Sequence, residues 1–346
     1  MKKISSAHIL LLVIAAVQLA AALGLSLIMA LVPGFYIPIW AQLLLSPVTM
    51  FIPFAVYCIW TESNPLKVIR FKKVKPASII LAILVMIFSY PVILALNFIS
   101  MLFVDNAMAS VIPSVMKMGL IPALIFMAVI PAVMEETIFR GCLYNTYSRV
   151  RPLAGVFLSA LLFGLMHMNF NQMPYAFFLG VIMALMLEAT DSILITMIMH
   201  FCLNGFTTVL SYFTMGSAQS MTQSLSLTET LTQTYRQALS QQGLYSSMSE
   251  AQIDAMVSDM VPQMIGIFVG VLAVIALVAL IVVLALIYAT FAVNGRKPKE
   301  ILLARPTDQA YVQGFRGKIK KNRMMDVFVI IFIIYALEEC IRSIFM

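Results

Sequence analysis

Six polar residues in an otherwise apolar stretch could carry chemistry together. They are Glu135, Glu136 and Arg140 in V-M-E-E-T-I-F-R, His167 in F-G-L-M-H, and His200 and Asn204 in H-F-C-L-N. The whole sequence holds three histidines, and two of them fall here. Ionisable side chains are costly within segments apolar enough to cross a membrane, and those that persist there are usually functional. Each motif spaces two residues four apart (Glu136 and Arg140, Phe163 and His167, His200 and Asn204), so each pair shares a helix face. Adjacent helical residues diverge by about 100°, so Glu135 and Glu136 cannot do the same job. Glu136 is expected to pair with Arg140 and neutralise it, leaving Glu135 to face His167 and His200.

These residue types suit peptide hydrolysis. A carboxylate and a histidine can hold and deprotonate a water, while a second histidine and an asparagine amide can stabilise the oxyanion on the scissile carbonyl. Alternatively, Glu135, His167 and His200 could bind a divalent metal such as zinc, leaving a fourth position for water. The H-E-x-x-H motif of single-helix zinc proteases is absent. Ser192 and Cys202 lie near the histidines in sequence but in no nucleophile motif, so a serine or cysteine nucleophile is disfavoured. The competing reading is that polar residues only join helices through hydrogen bonds. Taken singly, Asn204 fits that reading, and His8 is expected to be incidental.

The elements that must position these residues are membrane helices. Of 346 residues, 62% are hydrophobic and 11% charged, far outside the balance of a soluble domain. Nearly uncharged windows of about 20 residues recur, long enough to cross a hydrocarbon core about 30 Å thick. The alternating segments of about 10 residues that mark a β-barrel are absent. The chain is read as an all-α polytopic membrane protein with about eight transmembrane helices: 7–32, 35–60, 77–104, a fourth from near Gly119 towards Arg149, then 153–168, 174–190, 192–214 and 263–293. The first is read as a retained span rather than a cleaved signal peptide. Pro131 should kink the fourth helix and free a backbone carbonyl about one turn before the glutamates. A short run, 327–337, followed by Glu338, Glu339 and Arg342, is either a ninth helix crossing the membrane or one lying in its interface. Residues 1–115 then form N-terminal spans, 116–215 a core bearing the motifs, 216–262 an extracytoplasmic polar loop, and 263–346 the last span, a basic segment and the terminal helix.

The net charge of +7 belongs to topology rather than to nucleic acid. Basic residues cluster between apolar segments, at 67–75, at Arg149 and Arg151, and at 296–323, where nine Lys or Arg face Glu300 and Asp308. With Lys2 and Lys3 in the cytoplasm, every basic connection falls inside and the acidic 216–262 loop outside, as the positive-inside rule requires. The expected location is integral to a membrane, a bacterial cytoplasmic one, with the N-terminus cytoplasmic. Glu188 and Asp191, at the turn between spans six and seven, read as solvated helix-end charges. The four cysteines read as small buried hydrophobes.

In this order on successive helices, E-E-x-x-x-R at Glu135–Arg140, F-x-x-x-H at Phe163–His167 and H-x-x-x-N at His200–Asn204 resemble the CPBP family. These are the CaaX-processing and bacteriocin-processing intramembrane proteases, also called Abi. The approach T-D-S-I-L-I-T-M-I-M-H is similar to the family's T-G-S pattern, with Asp191 in place of glycine. The likeness covers roughly residues 115–210. It implies an eight-helix core with a cavity open towards the cytoplasmic leaflet. Glu135 and His167 would position the attacking water, His200 and Asn204 form the oxyanion pocket, and Glu136 and Arg140 support them. It also implies membrane lipid and a peptide or membrane-associated protein as partners, and leaves metal dependence and oligomeric state open. Family members process prenylated CaaX proteins, mature or degrade peptides, confer immunity to bacteriocins, or act without demonstrated proteolysis. The double-lysine start and short cytoplasmic loops look bacterial, which favours a membrane-associated peptide over a prenylated substrate. The rival reading is a non-proteolytic immunity or scaffold factor, or a transporter. No internal repeat supports the last.

Overall fold

Apolar side chains that a soluble protein would bury face outward along most of the helices, such as Leu23 and Leu27, Ile267 and Val274. That is the surface a lipid environment demands. The computed structural model describes residues 4–106, 108–215, 227–241, 249–304, 311–313, 319–321 and 324–345. Lys2 and Lys3, parts of the expected outer loop (216–226 and 242–248) and much of the second basic segment lie outside the described residues.

Among the described residues, seven helices are long and apolar enough to cross a membrane. They are α1 (Ile4–Leu31), α2 (Ile39–Trp60), α3 (Pro76–Ser100), α4 (Leu120–Tyr147), α6 (Met173–Thr190), α7 (Ile193–Met215) and α9 (Glu250–Val293). The all-α polytopic architecture expected from composition is therefore present. The fifth expected span is the shorter α5 (Pro152–Leu165). At 1.5 Å per residue its 14 residues rise only about 21 Å. It ends inside the bundle, where Met168 takes a left-handed backbone (φ 51).

Two buried clusters frame the site. One joins α1, α2, α4, α5 and α10 (Val327–Phe345) through residues such as Leu11, Phe54, Phe139 and Phe332. The other joins α3, α6, α7 and α9 through Met86, Met183, Met199 and Phe291. Small residues allow the closest approaches. A Cβ at Gly180 on α6 would meet Ala160 of α5 at 2.7 Å, and one at Gly141 on α4 would meet Ile69 at 2.7 Å.

Several expectations change. The run 327–337 belongs to a 19-residue helix, α10, which packs on α1 and α5. The last long span begins at Glu250 rather than 263, because Ser249 and Gln252 form a capping box. Its 44 residues extend about 66 Å, twice the hydrocarbon core. Part of the expected polar loop is accordingly helical: α8 (Leu227–Gln241) packs on the start of α9, Leu239 meeting Ile253 and Val257. In the basic segment two three-residue strands, β1 (Tyr311–Gln313) and β2 (Ile319–Lys321), pair antiparallel with Tyr311 opposite Lys321.

Glu188 is not a solvated helix-end charge. It is buried, with Oε1 2.7 Å from Arg70 Nη1 and Oε2 3.2 Å from Arg296 Nη2. Two basic connections converge on this one carboxylate, and burial makes the pairing necessary. Arg70 also donates to Asn145 and Ser148, and Lys75 to the Val293 carbonyl. The result is a clasp that ties α2, α3, α4, α6 and α9 at one end of the bundle. Asp191 closes α6 in the left-handed region (φ 54), where glycine is favoured and aspartate tolerated. It pairs there with Lys72.

Candidate active site

The helix that carries the glutamates is not uniformly α-helical. Segments Ile125–Val129 and Thr137–Tyr144 are π-helical and flank the α-helical turns Ile130–Glu136. Such insertions recur at functional sites because they re-aim side chains along a helix. Pro131 provides no N–H for the carbonyl of Met127, four residues earlier. The Asn204 side chain supplies one instead, its Nδ2 donating to Met127 O at 3.0 Å. This contact ties α7 to α4 about two turns before Glu135.

Glu136 and Arg140 are almost completely buried. Arg140 Nη1 donates to Glu136 Oε1 at 3.0 Å, and His200 Nδ1 lies 3.0 Å from the same oxygen. A carboxylate held by a guanidinium only accepts, so His200 carries its proton on Nδ1 and turns Nε2 elsewhere. That Nε2 stands 3.9 Å from Glu135 Oε2. The gap is too long for a direct hydrogen bond. Glu135 is 26% exposed and makes no ion pair with Arg140, so the two adjacent glutamates occupy different environments.

Glu135 and His167 line one cavity of about 220 Å³ with Phe139, Phe163 and Gln172. His167 Nδ1 lies 3.0 Å from the Phe163 carbonyl. A carbonyl also only accepts, so Nδ1 is the protonated nitrogen and Nε2 keeps its lone pair. Phe163 is the packing centre. Its ring meets His167 edge-on at 5.2 Å and His200 at 6.2 Å, and the Arg140 guanidinium lies 4.1 Å from its centroid, within cation–π range. The phenylalanine of F-x-x-x-H thus packs between Arg140 and His167, with the ring of His200 at its edge.

Of the six expected residues, Glu135, Glu136, Arg140, His167 and His200 come together around Phe163. Asn204 does not enter that cavity. It lines a neighbouring one of about 290 Å³, and Gln172 stands in the walls of both. The sequence reading missed Gln18 and Ser46, which border the Glu135 cavity from α1 and α2 and approach each other at 3.4 Å. The signal was present, since Gln18 is the only carboxamide in α1. Ser192 is buried at the clasp, bonded to the Lys72 carbonyl, and Cys202 borders an apolar pocket with Tyr90. Neither lines the Glu135 cavity.

Both imidazoles offer an Nε2 that a metal or a water could use, yet among the described residues no three His, Cys, Asp or Glu side chains come together as a metal-holding group. Glu135, His167 and His200 as placed do not fit a zinc site.

Residues 117–206 match the family model described as "Rce1-like: Type II CAAX prenyl endopeptidase Rce1-like". The match runs from the turn before α4 to the middle of α7 and includes all three motifs, so the resemblance drawn from them is shown over that segment. No curated protein and no solved structure matches the chain.

Proposed function

We propose that the chain is an intramembrane endopeptidase that hydrolyses a peptide bond in a membrane-associated peptide or protein, with residues 116–215 as its catalytic unit. One observation carries the reading: Glu135 shares a cavity with His167 and lies 3.9 Å from His200 Nε2, while Glu136 is held through its Oε1 by both Arg140 and His200 Nδ1. A water in that gap can donate one hydrogen to the Glu135 carboxylate and the other to an imidazole Nε2. Its oxygen lone pair then points at an incoming carbonyl carbon.

In this reading Glu135 is the general base. It takes the water proton as the oxygen bonds to the carbonyl carbon, then gives that proton to the leaving amine as the C–N bond breaks. His200, taken as an imidazolium that holds a second proton from bulk solvent on Nε2 and keeps it throughout, would donate from Nε2 to the oxyanion. The buried Glu136 opposite stabilises that imidazolium, and His167 Nε2 is then the imidazole nitrogen that accepts from the water. Glu136 and Arg140 are positioning residues: they fix the orientation of His200. Asn204 acts on the catalytic helix through Met127. The Glu135–His200 gap is read here as holding water only, and no step passes through a metal.

The family description names prenyl substrates. For this chain we favour an unprenylated membrane peptide, on the bacterial character of the sequence. The test compares membrane-associated peptides by mass spectrometry in cells carrying the wild-type protein or Glu135→Gln. Peptides with new termini in the wild type alone support the reading. Identical peptide sets, with both proteins inserted in the membrane to the same level, overturn it.

A further inference from the structure

The second cavity, of about 290 Å³, lies beside the Glu135 pocket and shares Gln172 with it. Its wall is rich in carboxamides: Asn97, Asn106, Asn171, Gln172 and Asn204. Hydroxyls of Tyr90 and Ser211 add to these. Among the described residues no Lys, Arg, His, Asp or Glu lines it. It is also at the end of the bundle opposite the clasp. Asn97 ends α3, which begins near Lys75, and Ser211 ends α7, which begins near Asp191.

A side-chain amide offers both a donor and an acceptor, as a main-chain amide does. Asn97 and Asn171 bond one another and Asn204 Nδ2 serves Met127, so the amide atoms left to pair with the N–H and C=O groups of an extended chain are those of Asn106, Gln172 and the Asn204 side-chain carbonyl. Such a wall cannot compensate a charge, whose transfer out of water without a partner is strongly unfavourable. From this we infer that the cavity is a binding subsite for a short, uncharged, extended segment of polypeptide flanking the reacting bond. A free terminal carboxylate or a charged side chain is excluded from it. The assignment rests on the endopeptidase reading above. It adds a substrate rule, that the residues entering past Gln172 are uncharged, and an entry side, the end of the bundle away from Arg70 and Arg296. Binding at this distance from the reacting atoms is the kind of interaction that can be used to orient the scissile bond.

The test uses the full-length Glu135→Gln protein in lipid nanodiscs, so that binding is read without cleavage. Fluorescence anisotropy is measured with a labelled ten-residue peptide of Ala, Leu, Ser and Thr, and with two versions carrying a central Lys or Glu. The uncharged peptide should bind at least about tenfold more tightly than either charged one, the ratio set by an uncompensated charge. Ser211→Lys, a rim substitution at the water-facing end of α7, should weaken the uncharged peptide and improve the Glu-containing one. Ser211→Ala should do neither. Equal binding of all three peptides, no binding of any, or indifference to Ser211→Lys overturns the subsite. Discrimination by Glu135→Gln without cleavage of the uncharged peptide by wild type would retain the subsite and remove the endopeptidase reading instead.

Discussion

Asn204 Nδ2 donates to the Met127 carbonyl at 3.0 Å, the carbonyl that an N–H at Pro131 would reach in an unbroken α-helix. A proline on one helix and an asparagine on another are therefore one device. The first leaves an acceptor exposed inside the bundle, and the second satisfies it while fixing α7 against α4 about two turns before Glu135.

The device predicts a coupling. Asn204→Leu should destabilise the detergent-solubilised protein by about 1–3 kcal/mol, the range for a buried polar group deprived of its partner. With Pro131→Ala an N–H becomes available locally, and the same Asn204→Leu change should cost less than half as much. A double-mutant cycle by thermal unfolding measures the difference. Strict additivity would mean that Asn204 answers some other need.

The two adjacent glutamates should separate function from stability. Glu135 is partly exposed and has no ion pair with Arg140, so Glu135→Gln should abolish peptide release and change stability by no more than about 0.5 kcal/mol. Glu136→Gln leaves the buried Arg140 guanidinium without its counter-ion, at a cost of about 3–5 kcal/mol. Adding Arg140→Met to Glu136→Gln should recover part of that loss, because no uncompensated charge then remains. Unfolding midpoints and peptide release measured on the same preparations distinguish the two roles. Equal destabilisation by Glu135→Gln and Glu136→Gln would contradict the division of labour.

Much of this was legible in the sequence, for a physical reason. A charge inside an apolar span stands out by composition, and four-residue spacing fixes which residues share a face. Glu136 with Arg140, and Glu135 turned away from that pair, follow from helical periodicity. Distances between helices do not. Nothing in H-x-x-x-N reveals that Asn204 serves a carbonyl on another helix, or that His200 is gripped at Nδ1 by Glu136. Glu188 was misread because a helix-end carboxylate looks solvated until two arginines from distant loops are seen to meet it. Asp191 is the converse case. Its left-handed backbone (φ 54) explains why a glycine suits that position in the T-G-S pattern.

His8, expected to be incidental, is fully buried on α1, with Nδ1 2.8 Å from Asp326 Oδ1 at the start of α10 and its ring 5.5 Å from that of Tyr147. Burial works against the charge on Asp326, but the His8 ring, the Val329 N–H and Ser5 together hold its carboxyl below the usual carboxylate range. A depressed folded-state value means that the contribution is present above about pH 4, where the unfolded carboxylate is ionised. It is lost as pH falls through the lower folded value. Asp326→Asn should therefore lower the unfolding midpoint at neutral pH, and the gap to wild type should close on acidification. A gap that stays constant from neutral pH to below the carboxylate range would remove Asp326 from the docking of α10.

The clasp and the carboxamide cavity occupy opposite ends of the bundle, which gives the orientation a direct measurement. The positive-inside rule assigns Arg70, Lys72 and Arg296 to the cytoplasmic side, and with it assigns the cavity rim at Ser211 to the other. The family resemblance instead implies that the cavity holding the site opens towards the cytoplasmic leaflet, and because the two cavities share Gln172 the two expectations separate. Ser211→Cys in intact cells should react with a membrane-impermeant maleimide, whereas Lys72→Cys should react only after the membrane is opened. Both belong in a background where Cys58, Cys142, Cys202 and Cys340 are serine or alanine. The reverse pattern would turn the bundle over, bring the carboxamide cavity to the cytoplasmic leaflet, and mean that the burial of Arg70 and Arg296 against Glu188, rather than translocation, dictates where these basic residues sit.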